Sequence, residues 1–180
     1  MHRMVVAVTA LLTALAADVA AAQSPTGYWK TVDDKTGNPR SVVYTWKEGE
    51  TMSGKIVQLY RQPDEEADPF CVECSGDLNK QKIVGLKILS GLEEVGNEWS
   101  GGHILDPKNG KTYSCYIEVQ DGGKKLKVRG YLGISLLGRT QHWFRVPNPD
   151  LNVRSFRLEK DGTTVPIAWE RKPEPADAGE

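Results

Sequence analysis

The chain has 180 residues, of which 39% are hydrophobic, and its 23 Lys and Arg nearly balance its 24 Asp and Glu for a formal net charge of −1. A chain of this length has room for one domain with a real core. The near-neutral balance excludes the broad basic field that would attract nucleic acid or an anionic membrane.

The first 22 residues have the layout of a secretory signal peptide. Met1-His2-Arg3 is a short basic start, residues 4–17 are apolar except for threonine, and Ala20-Ala21-Ala22 supplies the small residues that signal peptidase reads. An apolar run of about 14 residues is too short for a membrane-spanning helix, which needs roughly 20. We therefore predict a signal peptide over residues 1–22, a periplasmic or secreted protein that begins at Gln23, and no membrane span.

Turn signals recur every 8 to 14 residues through the following region, which is the rhythm of an antiparallel barrel or sandwich. The strands predicted in chain order are Gly27–Val32, Arg40–Lys47, Met52–Tyr60, Lys82–Leu89, Trp99–Leu105, Thr112–Gln120, Lys124–Leu132 and Arg139–Val146. Of these, Lys82–Leu89 has a spacing that would also allow a helical turn. We predict an all-β, up-and-down antiparallel barrel over residues 23–146, because about eight strands make a barrel that side chains fill or that holds one small ligand.

Two segments follow the barrel region. Ser155–Leu158 and Thr163–Ile167 flank Lys160-Asp161-Gly162, and Asp-Gly between short strands is a hairpin signal. Residues 147–169 are therefore predicted to form a hairpin appendage, packed on the barrel or on a partner. Residues 170–180 are polar and rich in Pro, Ala and Glu, which predicts a disordered tail.

Two short motifs stand at the ends of the periodic region. Gly27-Tyr28-Trp29 opens it and Trp143-Phe144-Arg145 closes it. We predict that the first and last strands meet, and that Arg145 lies across the face of Trp29 in a cation–π contact worth roughly 0.5–2 kcal/mol. Gly27, Trp29 and Arg145 would then close one end of the barrel and leave any ligand entrance at the other end.

Four runs of residues carry a family resemblance: GYWKTVDDKTGNPRSVV, CVEC followed by GL.IL.GL, W.GG.ILDP.NGKTY.C, and LKVRGYLG....GRTQ.W.R. Together they resemble the bacterial family of exported proteins known as domain of unknown function (DUF) 2147, over residues 26–146. The resemblance implies a lipocalin-like, calycin-like barrel, and small hydrophobic ligands are the usual expectation for such a fold. Residues 147–169 lie outside the family pattern.

The chain has three cysteines, Cys71, Cys74 and Cys115, and export predicts one disulfide and one free thiol. Cys115 alternates with apolar Tyr113 and Ile117, so it should face the core. A Cys71–Cys74 bridge would contribute about 2 kcal/mol, whereas a bridge to Cys115 would close about 40 residues and contribute about 4 kcal/mol. We favour Cys71–Cys74 because the two are adjacent and an inward Cys115 is hard to reach from a surface loop.

Thiol chemistry and metal binding are the sharper hypotheses for the same cysteines. The Cys-x-x-Cys motif follows the acidic run 64–68 and contains Glu73, and negative charge raises a thiol pKa, which disfavours redox catalysis. Zinc held by Cys71, Cys74, Cys115 and His103 would lack the second close-spaced pair that structural zinc sites usually have. His103 and His142 fit structural positions in strands, and Asp106 fits a turn cap. We predict no catalytic residue, metal or cofactor.

The candidate ligand-binding residues are large side chains on the faces that we predict to be inward. They are Tyr44, Trp46, Tyr60, Trp99 and Tyr113. Arg129 lies outside by simple alternation, but a bulge at Gly130 would turn it inward and make it the partner of a ligand carboxylate.

We therefore predict an exported, non-enzymatic binding or carrier protein for a small apolar or amphipathic molecule. One alternative is an interaction module for an envelope protein, which would use residues 147–169. A second alternative is a thiol-based enzyme that uses the Cys-x-x-Cys motif.

The signal-peptide prediction gives a defined mass. When the full-length chain is expressed in a secreting bacterial host, we expect the recovered protein to begin at Gln23, because Ala20 and Ala22 occupy the positions that signal peptidase reads. Intact mass spectrometry measures the new N-terminus. An exported product that retains residues 1–22 would contradict cleavage and favour an anchor.

Overall fold

The computed structural model describes residues 24–168, so the predicted signal peptide (1–22) and tail (170–180) lie outside the described residues. The strands are β1 Gly27–Val32, β2 Pro39–Glu48, β3 Thr51–Arg61, β4 Lys87–Val95, β5 Glu98–Asp106, β6 Lys111–Gln120, β7 Lys125–Tyr131, β8 Arg139–Arg145, β9 Ser155–Leu158 and β10 Thr164–Pro166. Short 3₁₀ turns cover Gly76–Leu78, Asp121–Gly123 and Ser135–Leu137. Within 24–168, no helix is long and apolar enough to cross a membrane.

Strands β1 to β8 form a closed ring. Each pairs antiparallel with the next, and β8 returns to β1 through Trp29 opposite Arg145 and Lys30 opposite Phe144. Closure pairs the edges of β1 and β8 that an open sheet would expose. The prediction of an all-β, eight-stranded, up-and-down antiparallel barrel is confirmed.

The fourth strand lies later in the chain than the sequence indicated. The prediction of Lys82–Leu89 is wrong, because β4 starts at Lys87 and continues to Val95. Gly91 adopts a left-handed φ of 68° inside the strand and absorbs an irregularity in the pairing with β3. Leu89 and Leu92 are consequently both fully buried, although strict alternation would place them on opposite faces.

The middle of the barrel is filled with side chains. Its largest buried residues include Trp29, Trp143 and Met52, which belong to one continuous apolar cluster. The Trp29 indole N–H is also satisfied there, donating to the Pro25 carbonyl at 2.8 Å and to the Thr45 hydroxyl at 3.0 Å. A buried tryptophan needs such a partner, so these two hydrogen bonds fix the orientation of the Trp29 ring.

Trp29 and Arg145 are in contact where the ring closes. The guanidinium carbon of Arg145 lies 4.1 Å from the Trp29 ring centroid. The same guanidinium donates to the carbonyls of Thr26 (3.0 Å), Ser24 (2.6 Å) and Gly123. A Cβ at Gly27 would lie 2.8 Å from Arg145 Nη1, so the glycine makes room for the cation. One side chain therefore ties the N-terminal segment, β1, β8 and the β6–β7 turn together.

The C-terminal segment packs on the outside of the ring. Beside β3, β4 pairs only with residues from Thr51 to Lys55, and β9 takes over as a parallel neighbour from Leu59 to Arg61. The Gln58 side-chain amide donates to the carbonyls of Asp150 and Val153, both at 2.7 Å. β10 then pairs antiparallel with β9. The predicted hairpin thus lies outside the eight-stranded ring and against it.

Removal of the Arg145 cation should weaken the whole fold. Arg145→Met loses the contact with Trp29 and three charge-assisted hydrogen bonds, so we expect the free energy of unfolding to fall by about 2–4 kcal/mol. Chemical denaturation followed by tryptophan fluorescence measures the change. Arg139→Met is the matched control, since Arg139 makes an exposed ion pair with Asp34 that should contribute less than about 1 kcal/mol. Equal losses in the two variants would contradict the closing role of Arg145.

Candidate ligand-binding site

The barrel has two distinct ends. At the first, here called the N-terminal end, β1 begins and the β2–β3, β4–β5 and β6–β7 turns lie together. At the second, called the loop end, lie the β1–β2, β5–β6 and β7–β8 connections and the long segment 62–86. Antiparallel order requires this arrangement, because successive turns alternate between the two ends.

A cleft of about 690 Å³ opens at the N-terminal end. Its floor is apolar and consists of Met52, Trp99 and Val119. Its rim carries the charged residues Lys47, Glu94 and Asp121. The volume is within the range of about 300–1,000 Å³ that is typical of small-molecule sites.

The cleft lies beside the Trp29–Arg145 contact, at the end of the barrel opposite to the one where we predicted a ligand entrance. Ser24, Thr26 and Gly123 line the cleft, and their carbonyl oxygens accept hydrogen bonds from Arg145. The cation therefore anchors three of the residues that line the opening.

The charged residues on the rim differ in whether they have an ion-pair partner. Asp121 is paired with Lys125 at 2.7 Å, and this hydrogen bond lowers the pKa of the Asp121 carboxyl. Lys47 Nζ lies 5.4 Å from the centroid of the Trp99 ring, and in residues 24–168 it makes no ion pair with a carboxylate. Glu94, on the same rim, likewise makes no ion pair in residues 24–168. The rim thus presents one unpaired cation, next to the Trp99 ring, and one unpaired anion.

Tyr44 and Trp46 are not interior residues, and their predicted inward orientation is wrong. Val43 and Thr45, on the face opposite Tyr44 and Trp46, are fully buried, whereas Tyr44 and Trp46 are only half-buried. On the outer face the Tyr44 ring is tilted against Tyr28, with 4.8 Å between the ring centroids, and stacks on Trp46 at 5.8 Å. The alternation of side chains along β2 separates its two faces but does not say which face is inside. The Thr45 hydroxyl accepts a hydrogen bond from the Trp29 indole, so the face of Thr45 is the inner one.

The other predicted aromatic residues have separate positions. Tyr60 stacks on Phe156 of β9 at 5.3 Å, and burial raises the pKa of its hydroxyl. Tyr113 is half-buried near the loop end, where its hydroxyl accepts a hydrogen bond from Asn109 at 3.1 Å. Trp99 alone among the six predicted ligand-binding residues lines the cleft.

Arg129 supports the β7–β8 loop from the outer face. Its guanidinium donates to the carbonyls of Ser135 (2.7 Å) and Leu136 (3.1 Å) and to the Thr140 hydroxyl (2.6 Å). The pairing of β7 runs through Gly130 without a register shift on either side. The bulge that would have turned Arg129 inward is therefore absent, and the interpretation as a carboxylate partner in the interior is wrong.

The cysteines are arranged for structure. The predicted Cys71–Cys74 disulfide is confirmed, and both residues are buried. Gly110 explains part of that burial, because a Cβ there would lie only 1.8 Å from the Glu73 carbonyl oxygen, so the loop sits tightly on the β5–β6 turn. Cys115 is buried as predicted, and burial raises its thiol pKa to about 12. A thiol that stays protonated at neutral pH is a poor nucleophile.

The remaining polar candidates occupy ordinary positions. His103 and His142 are exposed, and the Asp106 carboxylate accepts a hydrogen bond from the Lys108 amide at 3.0 Å, as expected for a turn cap. Across residues 24–168, no group of three or more His, Cys, Asp or Glu side chains is placed to hold a metal ion.

Lys47 and the residues of the turns were missed by reasoning from sequence. The Lys47 side chain looks like the polar end of a strand, and Gly96-Asn97 and Asp121-Gly122-Gly123 look like ordinary turns. Their convergence depends on closure of the ring, which brings strands distant in sequence to one opening. The usable signal was the alternation of turns between the two ends of an up-and-down barrel.

Comparisons with known proteins support the fold. A family model described as an uncharacterized protein conserved in bacteria (DUF2147) matches residues 27–145. Among curated proteins no sequence matches the chain. A solved structure described as protein HP1028 from the human pathogen Helicobacter pylori, of the lipocalin family, aligns with a TM-score of 0.59 and 18% identity over 81% of this chain and 93% of that chain. At this identity the likeness shows a shared lipocalin-like fold.

The buried thiol makes a simple reactivity prediction. Ellman's reagent at pH 8 should find no reactive thiol in the native protein and one per chain in guanidinium chloride, because Cys115 is enclosed and the other two cysteines are bridged. The unfolded thiol titrates near 9.0 and the folded one near 12, so this group should reduce stability as the pH rises between those values. Cys115→Val should remove that contribution. Rapid thiol release from the native protein would contradict the enclosed position.

Proposed function

The chain belongs to the family of uncharacterized proteins conserved in bacteria, DUF2147, and we propose that it is a non-enzymatic binding or carrier protein for a small amphipathic molecule. The observation that carries the proposal is the 690 Å³ cleft at the N-terminal end. Its apolar floor and the Lys47 ammonium on its rim offer the two environments that an amphipathic molecule needs. The lipocalin-like fold favours the same class of function but is weaker support, because one fold hosts many functions.

The packing of the barrel limits where such a ligand would bind. Trp29, Trp143 and their neighbours fill the middle of the ring, so the ligand would lie in the mouth and not deep inside. There its apolar part would pack on Trp99 and Met52.

The charge of the rim suggests the polar part of the ligand. Lys47 Nζ is 5.4 Å from the Trp99 ring centroid, a separation that one small molecule spans easily. A carboxylate or another anionic group next to the apolar part would gain a charge-assisted hydrogen bond from Lys47. We therefore propose an anionic amphiphile, such as a medium-chain fatty acid, as the ligand class.

The compartment is part of the proposal. The Cys71–Cys74 disulfide fits an oxidising environment, and the layout of residues 1–22 fits export. We propose that the protein works in the periplasm or outside the cell. There a carrier would shield the apolar part of its ligand from water.

Loss of the rim cation should weaken binding of an anionic probe. We expect Lys47→Met to raise the dissociation constant of 11-(dansylamino)undecanoic acid about 3- to 10-fold, the effect of one partly exposed charge-assisted contact. Dansyl fluorescence during titration measures it.

Two controls isolate the contact. Lys55→Met removes a lysine that lies 5.8 Å from the Trp46 ring centroid on the outer wall, so it should leave the affinity unchanged. The alcohol analogue of the probe should bind wild type and Lys47→Met alike. Absence of saturable binding to the wild type would overturn the proposed function, and equal effects of the two lysine variants would overturn the assignment of the site.

A further inference from the structure

The β7–β8 connection carries a concentrated group of exposed aliphatic side chains. Leu132, Ile134, Leu136 and Leu137 are 64%, 60%, 80% and 78% exposed, and we call residues 132–137 the apolar loop. Neither this segment nor the adjoining Tyr131 and Gly138 contains a charged residue. A compact group of this kind on a soluble surface marks an interaction site more often than isolated apolar residues do.

The apolar loop is held in shape. A 3₁₀ turn at Ser135–Leu137 is closed by hydrogen bonds from the Leu137 amide to Ile134 (3.3 Å) and from the Gly138 amide to Ser135 (3.1 Å). From β7, Arg129 donates to the carbonyls of Ser135 and Leu136. The carbonyls of Ile134, Ser135 and Leu136 are thus hydrogen-bonded within the protein, while the aliphatic side chains of the loop stay in water.

Segments of this chain outside the described residues are poor candidates to cover the loop. Residue 24 stands at the N-terminal end of the barrel, where it accepts a hydrogen bond from Arg145, and the loop is at the opposite end. Residues 169–180 contain one large apolar side chain, Trp169, among charged and small residues. Once the predicted signal peptide with its apolar run 4–17 is removed, neither remaining segment offers a comparable set of apolar side chains.

Area and chemistry also argue against a protein partner. The four side chains expose apolar surface on the order of 500 Å², less than the roughly 800 Å² that each side of a stable protein interface buries. A bilayer needs no matching area, since a few aliphatic side chains can enter its interfacial region, where water and headgroups still hydrogen-bond exposed backbone groups. The apolar loop offers four such side chains on a backbone that Arg129 holds in shape.

We propose that the apolar loop is a membrane-docking element that inserts shallowly into the surface of a lipid bilayer. The attachment should be mainly apolar, because Arg139 is paired with Asp34, the Arg129 guanidinium is engaged by loop carbonyls and the formal charge of the chain is only −1. Binding should therefore change less than about twofold between low and high salt. In this orientation the cleft at the opposite end of the barrel faces away from the membrane.

Site-specific labelling tests the orientation. The full-length chain is expressed in a bacterial host and purified in its exported form. An environment-sensitive dye is attached at position 135 in the Ser135→Cys variant and, separately, at position 97 in the Asn97→Cys variant. Cys115 is buried and should not react with the dye. With phosphatidylethanolamine–phosphatidylglycerol vesicles that contain a lipid-attached quencher, we expect a blue shift and quenching at position 135 only. Quenching at position 97 alone, or at neither position, would overturn the proposal.

Matched double variants test the side chains. Leu136→Ser with Leu137→Ser should lower vesicle partitioning about tenfold or more in a sedimentation assay. Val95→Ser with Leu151→Ser removes two exposed apolar side chains elsewhere and should leave partitioning unchanged. Equal losses would overturn the assignment to the loop. A dye shift at position 135 that appears without vesicles and grows with protein concentration would instead identify a second copy of the chain as the occupant. The readouts at position 135 and of the double variants are independent of ligand binding in the cleft, whereas Asn97 lines it.

Discussion

Closure of the sheet between β8 and β1 is the constraint on which the other features depend. The two strands share only two register pairs, Trp29 with Arg145 and Lys30 with Phe144, yet the contact brings together a buried tryptophan and a cation with three carbonyl partners. Two of those carbonyls belong to the N-terminal segment and one to the β6–β7 turn. The group that closes the ring therefore also shapes the opening beside it, so stability and the binding cleft have a common origin.

The sequence predicted most of the fold because the fold rests on local signals. Turn residues and period-two alternation located seven of the eight ring strands to within one or two residues, and Cys71-x-x-Cys74 bridges as its spacing suggested. β4 was displaced because Gly91, which looks like a turn residue, serves as an irregularity within a strand. Tyr44 and Trp46 were turned the wrong way because both faces of β2 carry apolar residues. Only Thr45, through its hydroxyl contact with Trp29, decides the direction.

The candidate site was harder to foresee than the fold because it belongs to no single element. Trp99 was identified, since a large aromatic residue on an inward face is a local property. Lys47 was not, since its value depends on the Trp99 ring below it and on turns brought together only by ring closure. The same applies to Arg129, whose partners are the carbonyls of a loop further along the chain. The candidate site at the rim of the barrel is formed by residues that are close in space but distant in sequence, so no local pattern identifies it.

The parallel pairing of β9 with β3 has a consequence for the order of assembly. β4 leaves β3 after Lys55, and the vacated stretch from Leu59 to Arg61 is paired by Ser155–Arg157, almost a hundred residues later in the chain. Contacts over such a separation form late, since the loop-closure entropy must be met first. A nascent chain that has completed β8 would still carry an unpaired strand edge at β3. β9 therefore covers this edge only at the end of synthesis. The nascent barrel is most exposed to wrong strand pairing just before β9 pairs with β3.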